Sequence, residues 1–164
     1  MIAVLDVHYV EPGARCACVV AEGWAAATPA ASWVVTVPTV AEYEPGSFYK
    51  RELPCLLAVL AGHPLPECVV VDGHAWLDER TPGLGAHLYE ALGRAVPVVG
   101  IAKSSFRGSP AAARIVRPTS KRPLYVTAAG LDQVDAAALV ERMHGPGRIP
   151  TLVTCADHLC RGIP

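Results

Sequence analysis

Cys68-Val69-Val70-Val71-Asp72-Gly73-His74 is the stretch on which the fold turns. Its first four residues are all apolar, without the polar alternation of a strand that faces water on one side. Such a run is expected to be a central strand buried on both faces. It stops on a carboxylate. Ile2-Ala3-Val4-Leu5-Asp6 repeats the pattern at the start of the chain, and Val96 to Ala102 is a third buried run, followed by Lys103. A carboxylate at the end of a buried strand is costly to desolvate unless positive charge meets it. Two further acids stand at comparable places: Glu52 opens an apolar helical stretch, and Asp157 lies near the C-terminus. Carboxylates that converge from distant parts of a chain make an all-oxygen site for a hard divalent cation. Such a constellation suggests magnesium-dependent phosphodiester hydrolysis. The competing reading is that Asp6 and Asp72 only cap strands or turns.

Outward from these runs, Ile2 to Val10, Cys16 to Ala21 and Ser32 to Val37 read as strands separated by short turns, an antiparallel meander. Tyr43 to Arg51 reads as a loop. Leu53, Leu56, Leu57 and Leu60 follow helical spacing, with Pro54 expected in the first turn. Gly73 to Gly83 is a long loop, Leu84 to Leu92 a helix, and a loop runs from Lys103 through Pro110. Ala113 to Val116 and Pro123 to Thr127 follow as strands, and Asp132 to Met143 and Leu152 to Cys160 as helices. The expected fold class is α/β: one domain over residues 1–164, with a mixed sheet, antiparallel in its first three strands and then parallel, and helices on both faces. If the first and fourth strands pair, Asp6 and Asp72 lie on neighbouring strand ends, where such folds place their crevice.

With 52% hydrophobic and 18% charged residues in 164, the chain is not of disordered composition. The formal net charge of −1 is low for a nucleic-acid binder, but basic residues cluster at Lys50-Arg51, at Lys103 with Arg107, and at Arg114, Arg117, Lys121 and Arg122. No segment reaches the roughly 18 apolar residues of a membrane span, and the start does not read as a signal peptide. The six cysteines include no CxxC pair and no zinc-ligand spacing, so a reduced, cytoplasmic protein is expected.

Several ordered motifs resemble the endonuclease V family of the ribonuclease H-like superfamily. Val4-Leu5-Asp6-Val7-His8-Tyr9 looks like the family's first metal strand. Tyr43-Glu44-Pro45-Gly46 followed by Arg51-Glu52 resembles its Tyr-x-Pro-Gly loop running into Phe-Arg-Glu. Val71-Asp72-Gly73-His74, Pro97 to Lys103, Pro123-Leu124-Tyr125-Val126 and Ala156-Asp157 are similar to the motifs that follow, in the same order. The resemblance implies that Asp6, Glu52 and Asp72 bind a catalytic magnesium, or manganese, with Asp157 at a fourth, more variable position. It implies that Lys103 faces the scissile phosphate. Tyr43, Pro45 and Gly46 would form a wedge loop at the altered base, with Gly73 and His74 beside the base pocket. The implied reaction hydrolyses a phosphodiester bond 3′ to inosine in DNA or RNA, with nucleic acid as partner and no obligate protein partner.

The chain departs from the family at Lys50, at Asp78-Glu79 (where the family reads His-Pro) and at Ala129-Gly130, in place of a Gly-His pair. Two other readings therefore stand beside the first. One is a nucleic-acid-binding homologue with weak or lost nuclease activity. The other is a nuclease with altered, single-stranded RNA preference.

Overall fold

The computed structural model describes residues 1–107 and 111–164; the part of the expected loop at 108–110 lies outside the described residues. The chain runs β1 (Ile2–Val10), β2 (Gly13–Ala21), β3 (Ala31–Val37), α1 (Tyr49–Leu60), β4 (Cys68–Asp72), α2 (Leu84–Ala91), β5 (Val98–Ala102), β6 (Ala113–Ile115), β7 (Leu124–Ala129), α3 (Gln133–Glu141) and α4 (Thr151–Arg161). The described strands form one sheet in the order β3-β2-β1-β4-β5-β7-β6. The first three are antiparallel, and β1, β4 and β5 are mutually parallel, as the apolar runs require. Beyond β5 the sheet departs from a simple parallel continuation: β7 and β6 add antiparallel, each to its neighbour. Among the described residues between β5 and β7 there is no helix, and a parallel return needs a crossover, usually a helical one.

Strand parity sorts the core into two layers. Ile2, Val4, Cys68 and Val70 pack with Ala136 and Val140 of α3 and Leu152 and Ala156 of α4. Ala3, Leu5, Val69 and Val71 face the other way, against Cys55, Leu56 and Val59 of α1 and Leu84 and Leu88 of α2. Helices therefore cover both faces, and β1 and β4 are buried on both sides.

Helix α1 begins at Tyr49, earlier than its leucine spacing indicates, so Pro54 falls inside the helix and not in its first turn. The bond it cannot make would have gone to the carbonyl of Lys50, an exposed residue where water can replace it. Asp132 caps α3 by accepting from the backbone N–H groups of Val134 (2.8 Å) and Asp135 (3.2 Å).

Arg117 has a role that its place in the sequence did not announce. Only 3% exposed, it donates to the carbonyls of Val140 (3.0 Å), Met143 (3.0 Å), Gly145 (2.7 Å) and Gly147 (3.1 Å). These include the last-turn carbonyl of Val140 in α3, which also accepts from the Met143 backbone N–H at 3.1 Å. The guanidinium thus ties the α3–α4 connection together and so helps place α4. Arg117→Ala should lower stability by roughly 3 kcal/mol or more, because several carbonyls would lose a charged donor. A chemical-denaturation midpoint that does not move would show that water satisfies them equally well.

Candidate active site

The pairing of β1 with β4 sets the site. Leu5 pairs with Val71, so Asp6 and Asp72 stand side by side where the parallel pairing stops, β4 ending at Asp72 while β1 runs on to Val10 beside β2. Asp6 and Asp72 continue the parity of Val4 and Val70, towards the layer of α4, which carries Asp157. Glu52 comes from the opposite layer, near the start of α1, and is itself buried at 6% exposure. Lys103 directly follows β5. These five side chains line one open cavity of about 280 Å³, together with Phe48 and Arg161.

The electrostatics are those of crowded carboxylates. Burial, with the charges of Asp72 and Asp157 nearby, raises Asp6 to about 6 even though it accepts a hydrogen bond from the Val7 backbone N–H. Glu52 is raised to about 8, first by burial and then by Asp6 and Asp72. Its Oε2 atom is buried and has no hydrogen-bond partner among the described residues. The two cations take the outer carboxylates. Lys103 Nζ donates to Asp72 Oδ2 at 2.7 Å, and Arg161 Nε donates to Asp157 Oδ1 at 2.6 Å. Burial disfavours the charged Lys103, but Asp72 outweighs it and the lysine is raised. Both pairs are partly exposed, so they are exchangeable contacts rather than buried locks. A divalent cation fits this donor set. It is rich in carboxylate oxygen, it carries an orphaned buried acceptor, and its carboxyl groups repel one another until a positive charge arrives.

Asp72 also borders a second hollow of about 510 Å³, which Tyr43, Gly46, Gly73, His74 and Phe106 help to line. Tyr43 is 62% exposed, with its ring offered to solvent rather than packed under the loop. Gly46 and Gly73 have φ of +80° and +137°, where a side chain would strain the backbone. His74 Nε2 is 3.0 Å from the Ser104 carbonyl and meets the Phe106 ring edge-on. Pro45 sits in the exposed turn beside Gly46 but does not line the hollow.

Asp78 lines the hollow with an ionised carboxylate bound into its own turn: it accepts from the backbone N–H groups of Arg80 (2.8 Å) and Thr81 (2.7 Å) and from the Thr81 hydroxyl (2.8 Å). These donors hold it below the usual carboxylate range. Gly130 has φ of +78°, and a Cβ there would meet the Tyr89 ring at 2.5 Å. Phe48, Phe106, Arg161 and Cys160 were not singled out from sequence. Helical spacing was the available signal for the last two, which lie three and four residues after Asp157 on α4.

Architecture and site together define an α/β protein with a carboxylate-rich cleft at the ends of its central parallel strands. The sequence model of the Endonuclease V family matches residues 1–129. The chain belongs to the endonuclease V family. It is 31% identical over 130 residues to endonuclease V of Thermococcus kodakarensis, an alignment covering 79% of this chain and 62% of that protein. It is 29% identical over 162 residues to the Pyrococcus abyssi enzyme, covering 98% and 79%. Among solved structures, endonuclease V of Streptomyces avermitilis superposes with a TM-score of 0.78 at 24% identity, covering 98% of this chain and 79% of the other. Ciona intestinalis endonuclease V, solved in complex with a 24mer DNA containing an inosine followed by a ribo-adenosine, gives 0.80 at 18% identity, covering 98% and 84%.

Proposed function

We propose that this protein is a divalent-metal-dependent endonuclease that hydrolyses a phosphodiester bond 3′ to inosine in DNA or RNA. The observation that carries the reading is the convergence of Asp6, Glu52, Asp72 and Asp157 with Lys103 in one cavity, beside a hollow edged by an exposed tyrosine. The inosine-containing DNA bound by the Ciona relative supports the choice of substrate.

In this reading Asp6, Glu52, Asp72 and Asp157 hold magnesium, or manganese. When bound, such an ion lowers the pKa of a water and stabilises charge on the phosphoryl oxygens. The residues do the rest. Asp72 is shared between the ion site and Lys103, and Lys103 turns from it to a phosphate oxygen once substrate arrives. Water adds to phosphorus, the bond from phosphorus to the 3′ oxygen breaks, and that oxygen takes a proton, leaving a 3′-hydroxyl and a 5′-phosphate. Tyr43 stacks on a base at the strand opening, flanked by Pro45 and Gly46, which shape its turn. The hollow between Gly73 and His74 receives the displaced hypoxanthine. The protein acts on nucleic acid without an obligate protein partner. Its six free cysteines fit a reducing, cytoplasmic setting. Among the described residues, no helix is long and apolar enough to cross a membrane.

The test uses labelled strands containing inosine or adenosine at one position, with magnesium, manganese or chelator. Metal-dependent cutting beside inosine alone is expected. Binding without cutting in any metal would instead identify a homologue that retained the fold and lost the reaction. Equal cutting of both strands would place selectivity elsewhere than in the hollow.

A further inference from the structure

Among the described residues, the buried side-chain polar atoms without a hydrogen-bond partner are the Tyr9 hydroxyl, Arg51 Nε and Glu52 Oε2. They gather at one place. Tyr9 shares the parity of Ala3 and Leu5 on β1 and so packs into the layer of α1, the helix that carries Arg51 and Glu52. The Arg51 guanidinium lies over the Tyr9 ring, 4.0 Å from its centroid. Tyr9 and Glu52 line the same cavity as Asp6 and Asp72. Burial first, and then the charge of Glu52, hold the Tyr9 hydroxyl above its ordinary range, so it keeps its proton and stays a donor. Lys103 and Arg161 serve Asp72 and Asp157, and the Val7 backbone N–H serves Asp6. Glu52, from the opposite layer, keeps an oxygen that no described group serves.

We propose that Tyr9 is a positioning residue of this site: its hydroxyl donates to Glu52 Oε2 while the other carboxylate oxygen holds the cation. The inference rests on the cation role of Glu52 in the reading above and adds the group that aims that carboxylate. Carboxylates that ligate an ion are themselves hydrogen-bonded, which fixes their orientation. A buried donor and a buried acceptor that are both idle each carry a desolvation cost. Here the two stand on facing elements at one cavity, and a single bond between them relieves both. They are not bonded to each other in this arrangement. Drawing one oxygen towards a cation turns the carboxylate about its terminal torsion, the broadest of the side chain, and lets Oε2 meet the hydroxyl. The phenol then stiffens the one carboxylate that reaches the cleft from α1. Arg51, stacked on the ring, keeps the hydroxyl aimed. A phenylalanine at this place would fill the same space under the same guanidinium and leave Glu52 free to swing.

Manganese titrated calorimetrically into the whole protein without nucleic acid, native and Tyr9→Phe, tests this. The hydroxyl is idle without an ion, so in chelator Tyr9→Phe should melt at the native temperature or above it. Its manganese affinity should fall by roughly 10–100-fold, the usual effect of losing an outer partner of a metal ligand. A purely structural tyrosine would instead lower the metal-free melting temperature and leave the affinity of the folded protein alone. Cutting of an inosine strand supplies a second readout: Tyr9→Phe should need correspondingly more manganese and regain the native rate at saturation. Unchanged affinity in Tyr9→Phe, a metal-free variant that melts lower or fails to fold, or a rate still depressed at saturating manganese would each overturn the assignment. So would a native protein that binds no manganese. If Tyr9→Phe weakens manganese binding as described but the native protein cuts no strand, the nuclease reading fails and the role of Tyr9 stands. If the native protein cuts beside inosine and Tyr9→Phe binds manganese as tightly as it does, the reverse holds.

Discussion

Replacing Asp6 by asparagine should lower cleavage by about 10³-fold or more while leaving the protein as stable as before, or more so, at pH 8. The two effects have one cause. Asparagine keeps the oxygen that accepts from the Val7 backbone N–H at 2.8 Å, so β1 should hold its shape around Asp6. It removes a charge that burial and the neighbouring Asp72 and Asp157 make costly, as the rise of Asp6 to about 6 records. Losing that repulsion favours the folded state. The same charge is what a divalent ion would be held by, and a bound ion contributes several kcal/mol to phosphoryl transfer, each 1.4 kcal/mol being about tenfold in rate. Single-turnover cutting of an inosine strand, measured beside a thermal melt, checks both halves. Turnover unchanged in Asp6→Asn would remove Asp6 from the catalytic role. Activity lost together with a large drop in melting temperature would make Asp6 a structural residue instead.

The β-strands, and the carboxylates that close the apolar runs of β1 and β4, were legible in the sequence because burial on both faces leaves a direct mark: consecutive apolar residues with no polar alternation. A central parallel sheet was expected from that mark, and the adjacency of Asp6 and Asp72 was expected on the condition that the first and fourth strands pair, as they do. What lay beyond reach were features set by side-chain direction across layers. Nothing local says that Arg117 turns inward to collect the carbonyls of the α3–α4 connection, because an arginine after a short edge strand reads as surface. Nor does spacing along β4 and α1 say that Glu52 leaves one oxygen with no partner. Asp78 shows the same limit. Its charge reads as hostile to phosphate, yet the two backbone N–H groups and the hydroxyl it accepts from belong to its own turn. A histidine there would forfeit those bonds, so restoring the family's residue alone disturbs the loop it is meant to repair. The start of α1 was misplaced for a related reason: apolar periodicity begins at Leu53, but the helix begins where Tyr49 stacks on His87 of α2, with ring centroids 3.5 Å apart.

Without divalent metal, the protein should lose stability as pH rises from about 5 to 9, and metal should restore it most at the alkaline end. Glu52 moves from 4.5 unfolded to about 8 folded, and Asp6 from 3.8 to about 6. Both carboxyl groups hold their protons more tightly when folded, so between the unfolded and folded values the folded state binds protons that the unfolded chain has released. Stability contributed by those protons is complete below about pH 4. It drains away as pH climbs through 6 and then 8. Tenfold tighter proton binding in the folded state corresponds to about 1.4 kcal/mol; the two groups interact, so their contributions do not add, and a loss on the order of a few kcal/mol is expected across the range. For a chain of this size that is roughly 10 °C in melting temperature. A divalent ion displaces the same protons, so its stabilisation, about 2.7 kcal/mol at a hundred times its dissociation constant, is small at pH 5 and grows towards pH 9. Differential scanning calorimetry over pH, with and without magnesium or manganese, reads both trends. Glu52→Gln isolates the cause, since glutamine cannot titrate: its melting curve should be flatter with pH, its metal response weaker, and its stability at pH 9 without metal above that of the native protein. If the native protein melted at one temperature from pH 5 to 9 and ignored metal throughout, Glu52 and Asp6 could not be the crowded, ion-seeking pair that the cleft requires.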